Sequence, residues 1–340
     1  VVNKQGLIET VGSGIPRIDF SDDTKGALLL EPSSTNLVTY SEDFSNVSWT
    51  KLGNGTGTTA VITPNYAISP DGSLNATRLQ CLLNGGTTTS DQSLIYDLDS
   101  SGTSQSISVY MKSNNGSNQV IFFANTVSAN DTFTVTSEWQ RFEFNHATSN
   151  HTFSLGLRGA TGSDDNADIS IWGAQSESLS YATSYIKTIG TTQTRVADNA
   201  SLLNLDTNNL VTDSGSWTVL FEIELLSNES AMDKIRLTDA SGSPRAYLYH
   251  SSMGVAGTDW TGGTSIPMNT NNKLIYRANS TQSITAFNNG VNISTMTSTS
   301  TPIVFNRILF YGSNGAFKIK QMQVFNTTLS DTECINLTTI

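Results

Sequence analysis

The sequence predicts an all-β protein built as two antiparallel β-sandwiches, and three observations predict it. Apolar and polar residues alternate in short runs with period two, the pattern of strands that bury one face. Turn signals separate the runs, among them Asn54-Gly55, Pro70-Asp71-Gly72, Asn84-Gly85 and Asn115-Gly116. Long helical periodicity is missing, and 340 residues are long for one sandwich and comfortable for two.

Composition agrees with this class. Charged residues make up only 14% of the chain, so the surface is polar through hydroxyl and amide groups more than through ion pairs. Thr suits strands, and Asn and Gly suit turns. The net charge of -11, with Lys and Arg scattered singly, argues against a nucleic-acid partner and against attraction to an anionic membrane. No run approaches the ~18 apolar residues of a membrane span, so no membrane insertion is expected. Neutral glycans and cation-bridged surfaces stay open as partners. The chain starts at Val1 without a basic-then-apolar leader and reads as a fragment or processed piece of a longer protein.

Residues 1–25 alternate short apolar pairs with Gly12, Gly14 and Pro16, which predicts an extended N-terminal arm lying on the domain or on a neighbouring subunit. Residues 26–190 are expected to form the first sandwich, with 27–30 as its opening strand and a restart at Asn36 to Tyr40. Phe44 and Trp49 are spaced to tuck two rings into its core. Further strand candidates are 59–63, 76–83, 92–98, 105–112, 119–124, 132–135, 140–145, 152–158 and 168–174. With no helix between them they must pair antiparallel, and two packed sheets in a jelly roll fit their number best.

Residues 191–200 read as a linker, after which the pattern begins again and predicts a second sandwich over 201–340. Its candidates are 217–225, 233–238, 245–249, 254–258, 272–279, 283–288, 291–294, 307–311 and 317–325. Asn288-Asn289-Gly290 predicts a tight hairpin, and so does Gly312-Ser313-Asn314-Gly315. In the tail, Ser330 with Glu333 is a capping box, which predicts one short C-terminal helix over 331–338. Cys81 and Cys334 fall in different domains and are expected to be buried and unpaired.

The segments VNKQGLIETVGSGIPRIDF (2–20), ALLLEPSSTNLVTYSEDFSNVSWTK (27–51), AISPDGSLNATRL (67–79), SVYMK (108–112), WGAQSESLSYATSYIKT (172–188) and TRVAD (194–198) occur in family order. They resemble a carbohydrate-binding-module-like domain of bacteriophage tail and other virion surface proteins. The strand 319–325 followed by NTTLSDTE, with the FNNGV hairpin, is similar to concanavalin A-like or laminin-G-like sandwiches. The resemblance implies a non-catalytic phage adhesin or tail component at the virion surface, extracellular, with a host cell-surface glycan and other virion proteins as partners, and a homo-trimer as one assembly. A purely structural decoration docking onto partner chains is the second reading. An accessory region of a polysaccharide-degrading enzyme is the third.

Candidate sites follow from residue chemistry. A glycan needs an exposed aromatic platform beside directional polar groups. Trp260, in the Gly-flanked run 257–263, is the first candidate, with Asp259, Tyr247, Tyr249 and His250 beside it; the alternative is that Trp260 folds back as a lid on its own sandwich. Trp172 reads as core. The run 162–168 concentrates oxygen ligands, and the resemblance to calcium-holding jelly rolls joins Asp168 to Glu42 or Asp43 as a structural calcium set; a solvated Asx-rich turn is the simpler reading. Glu222 and Glu224 share one face of a strand, as an acid and nucleophile would. Glycosidases resembling this fold carry a further carboxylate where this chain has Leu226, so no enzyme is expected. His146 and His151 bracket an expected hairpin turn, where exposed turn residues fit better than a two-ligand metal site.

Overall fold

The computed structural model describes residues 1–340 apart from 100–103, 126–129, 149–150, 206–214, 228–232, 243, 250–251, 256–257, 260–265, 280–282 and 298–303. In chain order the strands are β1 (Ile18–Asp19), β2 (Ala27–Leu30), β3 (Ser34–Asn36), β4 (Trp49–Asn54), β5 (Val61–Ile68), β6 (Leu74–Leu82), β7 (Gln92–Asp99), β8 (Ser104–Ser113) and β9 (Gln119–Ala124). They continue with β10 (Asn130–Val135), β11 (Gln140–Thr148), β12 (His151–Arg158), β13 (Asn166–Glu177), β14 (Gln193–Arg195), β15 (Asn199–Leu202), β16 (Trp217–Leu225) and β17 (Asp233–Thr238). The last are β18 (Pro244–Tyr249), β19 (Ser252–Val255), β20 (Thr258–Asp259), β21 (Asn271–Ala278), β22 (Ser283–Asn288), β23 (Val291–Thr297), β24 (Arg307–Tyr311) and β25 (Phe317–Phe325). One helix, α1 (Asp331–Thr338), closes the chain. The protein is therefore all-β with a short C-terminal helix, as expected.

The chain divides into two compact units. The first holds residues 5–9 and 34–195; the second holds 1–4, 10–33 and 196–340. In the first, β10-β9-β12-β7-β4 form one five-stranded sheet and β11-β8-β13-β6-β5 the other, with β14 paired to β3 beside them. Their facing sides enclose Phe44, Trp49, Ile95, Val109, Phe123, Phe153, Leu155 and Ile171. Phe44 and Trp49 sit 4.8 Å apart between ring centres, and the Trp49 indole N–H donates to the Tyr40 carbonyl, so both are core residues as the spacing predicted. Trp172 is buried as well.

In the second unit, β1-β2-β25-β16-β21-β22-β23 form a seven-stranded sheet, and β15-β24-β17-β18-β19-β20 form a six-stranded one. Trp217, Phe221, Ile223, Leu248, Tyr276, Phe305, Phe310 and Phe317 fill the space between them. The helix packs on the outside of the seven-stranded sheet, where Cys334 is buried with Leu220, Ile275 and Phe287. Its start is the capping box read from the sequence: the Ser330 hydroxyl accepts from the Glu333 N–H, and the Glu333 carboxylate accepts from the Ser330 N–H. Both cysteines are buried and unpaired.

Residues 10–33 depart from expectation. At the end of the expected arm of residues 1–25, residues 18–19 form the short strand β1, and Ala27–Leu30 does not open the first sandwich. Leu28, Leu29 and Leu30 pair with Ile319, Lys318 and Phe317 of β25, which makes β2 an inner strand of the second sandwich and β1 its edge. Charge pairing holds the segment there: Arg17 meets Glu31 at 2.8 Å and also Asp198, while Lys318 meets Asp19 at 2.9 Å and also Asp22. An alternating apolar strand carries no label for which of two sheets it joins, so the pairing was invisible in composition. The expected linker is also structured, with β14 in the first unit and β15 in the second.

Two expected turns are different in kind. Asn289 and Gly290 have φ of 47° and 79°, the left-handed pair of a tight hairpin, and they join β22 to β23 as predicted. Gly312–Asn314 is instead a 3₁₀ turn that carries the chain from β24 in one sheet to β25 in the other. Likewise β11 and β12 lie in different sheets, so His146 and His151 do not face each other across a hairpin.

The motifs that carried the family resemblance build a buried polar lattice in the first unit. Asn36, fully buried, donates to the Ala174 and Ile186 carbonyls at 3.0 and 2.8 Å and accepts from the Val38 and Ser176 N–H groups. The buried Glu177 carboxylate accepts from Ser34, Gln175 and both the N–H and hydroxyl of Thr183. Backbone groups of the 183–188 return are thereby satisfied without a sheet ladder.

Candidate functional site

The first sandwich has one sheet whose outer face is apolar as well as its inner face. Strands β9, β12, β7 and β4 lie side by side, and their register aligns outward residues in rows. One row runs Phe122, Gly156, Leu94, Leu52; the next runs Ala124, Ser154, Tyr96, Thr50. Flanking them, Arg158 faces Gln92 on one side and Thr152 faces Leu98 on the other. Leu94, Phe122 and Ala124 form an outer apolar cluster with Leu52 and Tyr96 packed against it.

Leu52, Gln92, Leu94, Tyr96, Leu98, Phe122, Thr152, Ser154 and Arg158 line a groove of about 300 Å³. In the row between Phe122 and Leu94 stands Gly156, at φ +149°, where a Cβ would lie 2.5 Å from the Ser93 carbonyl oxygen and 2.7 Å from the Leu94 Cβ. Only glycine lets β12 and β7 approach this closely. Tyr96 is half-buried at one wall, while Leu98 is 64% exposed at the rim. The polar groups sit at the edges: Gln92, Thr152, Ser154 and Arg158.

Arg158 is held in place. Its Nε donates to the Thr89 carbonyl at 3.0 Å, and its guanidinium carbon lies 5.8 Å from the centre of the Phe122 ring. The loop beneath is fixed by Asp91, whose carboxylate accepts from the N–H groups of Thr56 and Thr88 at 2.9 and 2.8 Å and from both their hydroxyls. The Thr56 amide and the Thr88 donors hold this carboxyl far below the usual carboxylate range. A larger hollow of about 410 Å³ lies at the loop end, but Gly85, Gly86, Gly159 and Ala160 give it no aromatic surface.

The groove was missed in the sequence. Its signal was there in runs that are apolar at both parities: Leu94, Ile95 and Tyr96 in β7, and Ile121, Phe122 and Phe123 in β9, with a glycine inside the β12 run. Ile95, Ile121 and Phe123 point inward, and their neighbours need a second apolar environment.

Of the residues expected to form a site in the second sandwich, Tyr247 and Tyr249 are described, and Asp259 by its backbone. Along one row of the six-stranded sheet, Ser201, Leu309, Arg236, Tyr247, Gly254 and Asp259 are register partners in turn. Tyr247 and Tyr249 are half-buried with ring centres 6.4 Å apart, and Gly254 leaves room for the Tyr247 ring. Arg236 lies 5.5 Å from the Tyr311 ring centre and pairs with Asp233. Trp260 and His250 lie outside the described residues.

The residues of the expected calcium set are each engaged within the chain. Asp168 is bound by Arg78 and Asn114, Glu42 by Lys187, Tyr185 and Asn75, and Asp43 caps its own turn at Ser45. Among the described residues, no three carboxylate, imidazole or thiol groups gather as a metal site. A cation at Asp168 would have to displace the Arg78 guanidinium. The pair in β16 is also engaged within the chain, Glu222 with Asn271 at 2.7 Å and Glu224 with Lys320 at 3.1 Å.

No protein-family model matches the chain, and no curated protein matches it. Solved structures give partial likenesses. The Ruminococcus gnavus IT-sialidase CBM40 bound to alpha2,3 sialyllactose is 17% identical, covering 39% of this chain and 86% of that one at a TM-score of 0.31. The binding domain of botulinum neurotoxin DC, in complex with rat synaptotagmin II, is 14% identical over 41% of this chain and 39% of that one, at 0.32. The arabinose-bound MgGH51 arabinofuranosidase is 15% identical over 44% and 26%, at 0.27. At such values these likenesses decide neither ligand nor activity.

Proposed function

We propose that the first sandwich is a non-catalytic glycan-binding module and that its ligand lies across the β9-β12-β7-β4 face. The observation that carries this reading is the groove lined by Phe122, Leu94, Leu52 and Tyr96 and edged by amide, hydroxyl and guanidinium groups. A sugar ring has an apolar face and directional hydroxyls at its edge, and the groove offers the complementary arrangement. The setting, a phage tail or virion surface contacting a host, rests on the segment resemblance alone. The module would then display this face toward the host and pack elsewhere on virion chains.

The test is binding of a panel of bacterial surface oligosaccharides to the whole chain and to Tyr96→Ala. The reading expects the variant to lose about ten-fold in affinity, about 1.4 kcal/mol, with its melting temperature unchanged. The second reading, architectural docking, is favoured by Leu98 at the rim, whose exposed side chain suits a protein partner. Silence across the panel, together with saturable binding of another virion protein that Leu98→Asp abolishes, selects it.

A further inference from the structure

Resting on the glycan reading above, we infer that the groove selects saccharides bearing a carboxylate, uronic or other sugar acids, over their neutral counterparts. Arg158 is the one charged residue lining it, and no carboxylate lines it at all. This matters because the chain as a whole carries -11. Acidic groups are plentiful on the surface, and none of them lines this groove.

The distances decide which charge a ligand feels. Exposed charges beyond about 8–10 Å are screened at physiological salt, so the net charge of the whole chain acts weakly on a sugar seated in the groove. A cation a few ångströms away beside apolar rings acts strongly, since the Phe122, Leu94 and Tyr96 side chains displace water and lower the local dielectric. Arginine keeps its charge whatever its N–H groups are bonded to. Its position is also fixed in advance by the Thr89 carbonyl and the Phe122 ring, so little side-chain freedom is lost on binding.

The polar atoms opposite are neutral. Gln92, Thr152 and Ser154 hydrogen-bond hydroxyls on any sugar and do not discriminate by charge. Selectivity for an acid therefore rests on one residue, which makes it testable. The guanidinium also offers the planar geometry that matches a carboxylate.

The experiment uses an oligouronate and the same oligosaccharide after carboxyl reduction, which keeps the backbone and linkage while removing the charge. Both are titrated into the whole chain, Arg158→Gln, Arg158→Lys and Tyr96→Ala. The inference expects the wild-type chain to bind the uronate about ten-fold or more tighter than the reduced form. Arg158→Gln should bring the ratio of the two affinities close to one, and Arg158→Lys should retain part of the preference. Raising salt should weaken uronate binding and leave the neutral ligand's affinity as it was. Equal affinity of the wild-type chain for both ligands, still lowered by Tyr96→Ala, overturns the acid preference and leaves the glycan reading standing. A preference that survives Arg158→Gln overturns the role of Arg158. If neither ligand binds, nor any member of the wider panel, the glycan reading falls and this inference with it.

Discussion

At the scale of single residues, the same side-chain chemistry serves two purposes, and burial separates them. Asn36 satisfies four backbone groups where no water reaches. Asn36→Ala should lower the stability of the first unit by about 3 kcal/mol or more, since each orphaned buried group costs about 1–3 kcal/mol; urea unfolding reads the change. Asp91 makes a different forecast, because its folded pKa is depressed by the amides and hydroxyls that donate to it. A depressed carboxylate contributes stability above its ordinary value of about 3.9, and that contribution is lost as pH falls below it. Asp91→Asn should therefore be less stable than the parent at pH 7, with the gap smaller at pH 3 and narrowing further as pH falls toward the depressed folded value. Urea midpoints at the two pH values check both the sign and the window. Phe44, Trp49 and the capping pair Ser330 and Glu333 were readable from local spacing, because each acts within a few residues of itself. Tyr96 and Phe122 were not, since what marks them is the neighbour across the sheet.

At the scale of elements, strand identity was legible and strand partnership was not. The period-two runs located β6, β7, β8, β9 and β16 closely, and the Asn289-Gly290 turn fixed one hairpin. Ala27–Leu30 was assigned to the wrong sandwich, because four apolar residues fit any sheet edge and only long-range pairing with β25 decides. The two thiols allow this pairing to be tested. Cys81 is buried in the first unit and Cys334 in the second, with burial pushing the first to about 12 and the second to about 11, so neither reacts in the folded protein. Deleting residues 1–33 should expose Cys334 to a thiol reagent while Cys81 stays protected. Exposure of Cys81 first, with Cys334 protected, would return β2 to the first sandwich.

At the scale of the whole molecule, the chain begins in the second unit, builds the first from residue 34 to 195 and then returns to complete the second. Each unit encloses its own core, and each presents an aromatic sheet face, one with Tyr96 and Phe122 and one with Tyr247, Tyr249 and Tyr311. The face in the first unit has the groove with the Arg158 guanidinium at its edge; the other carries a row of rings with Arg236 beside them. Calorimetric titration of one bound oligosaccharide into Tyr96→Ala and Tyr249→Ala, each compared with the parent chain, separates them. The account predicts an affinity loss of about ten-fold in Tyr96→Ala and none in Tyr249→Ala. Loss in Tyr249→Ala with binding intact in Tyr96→Ala would contradict it and move the ligand to the second sandwich.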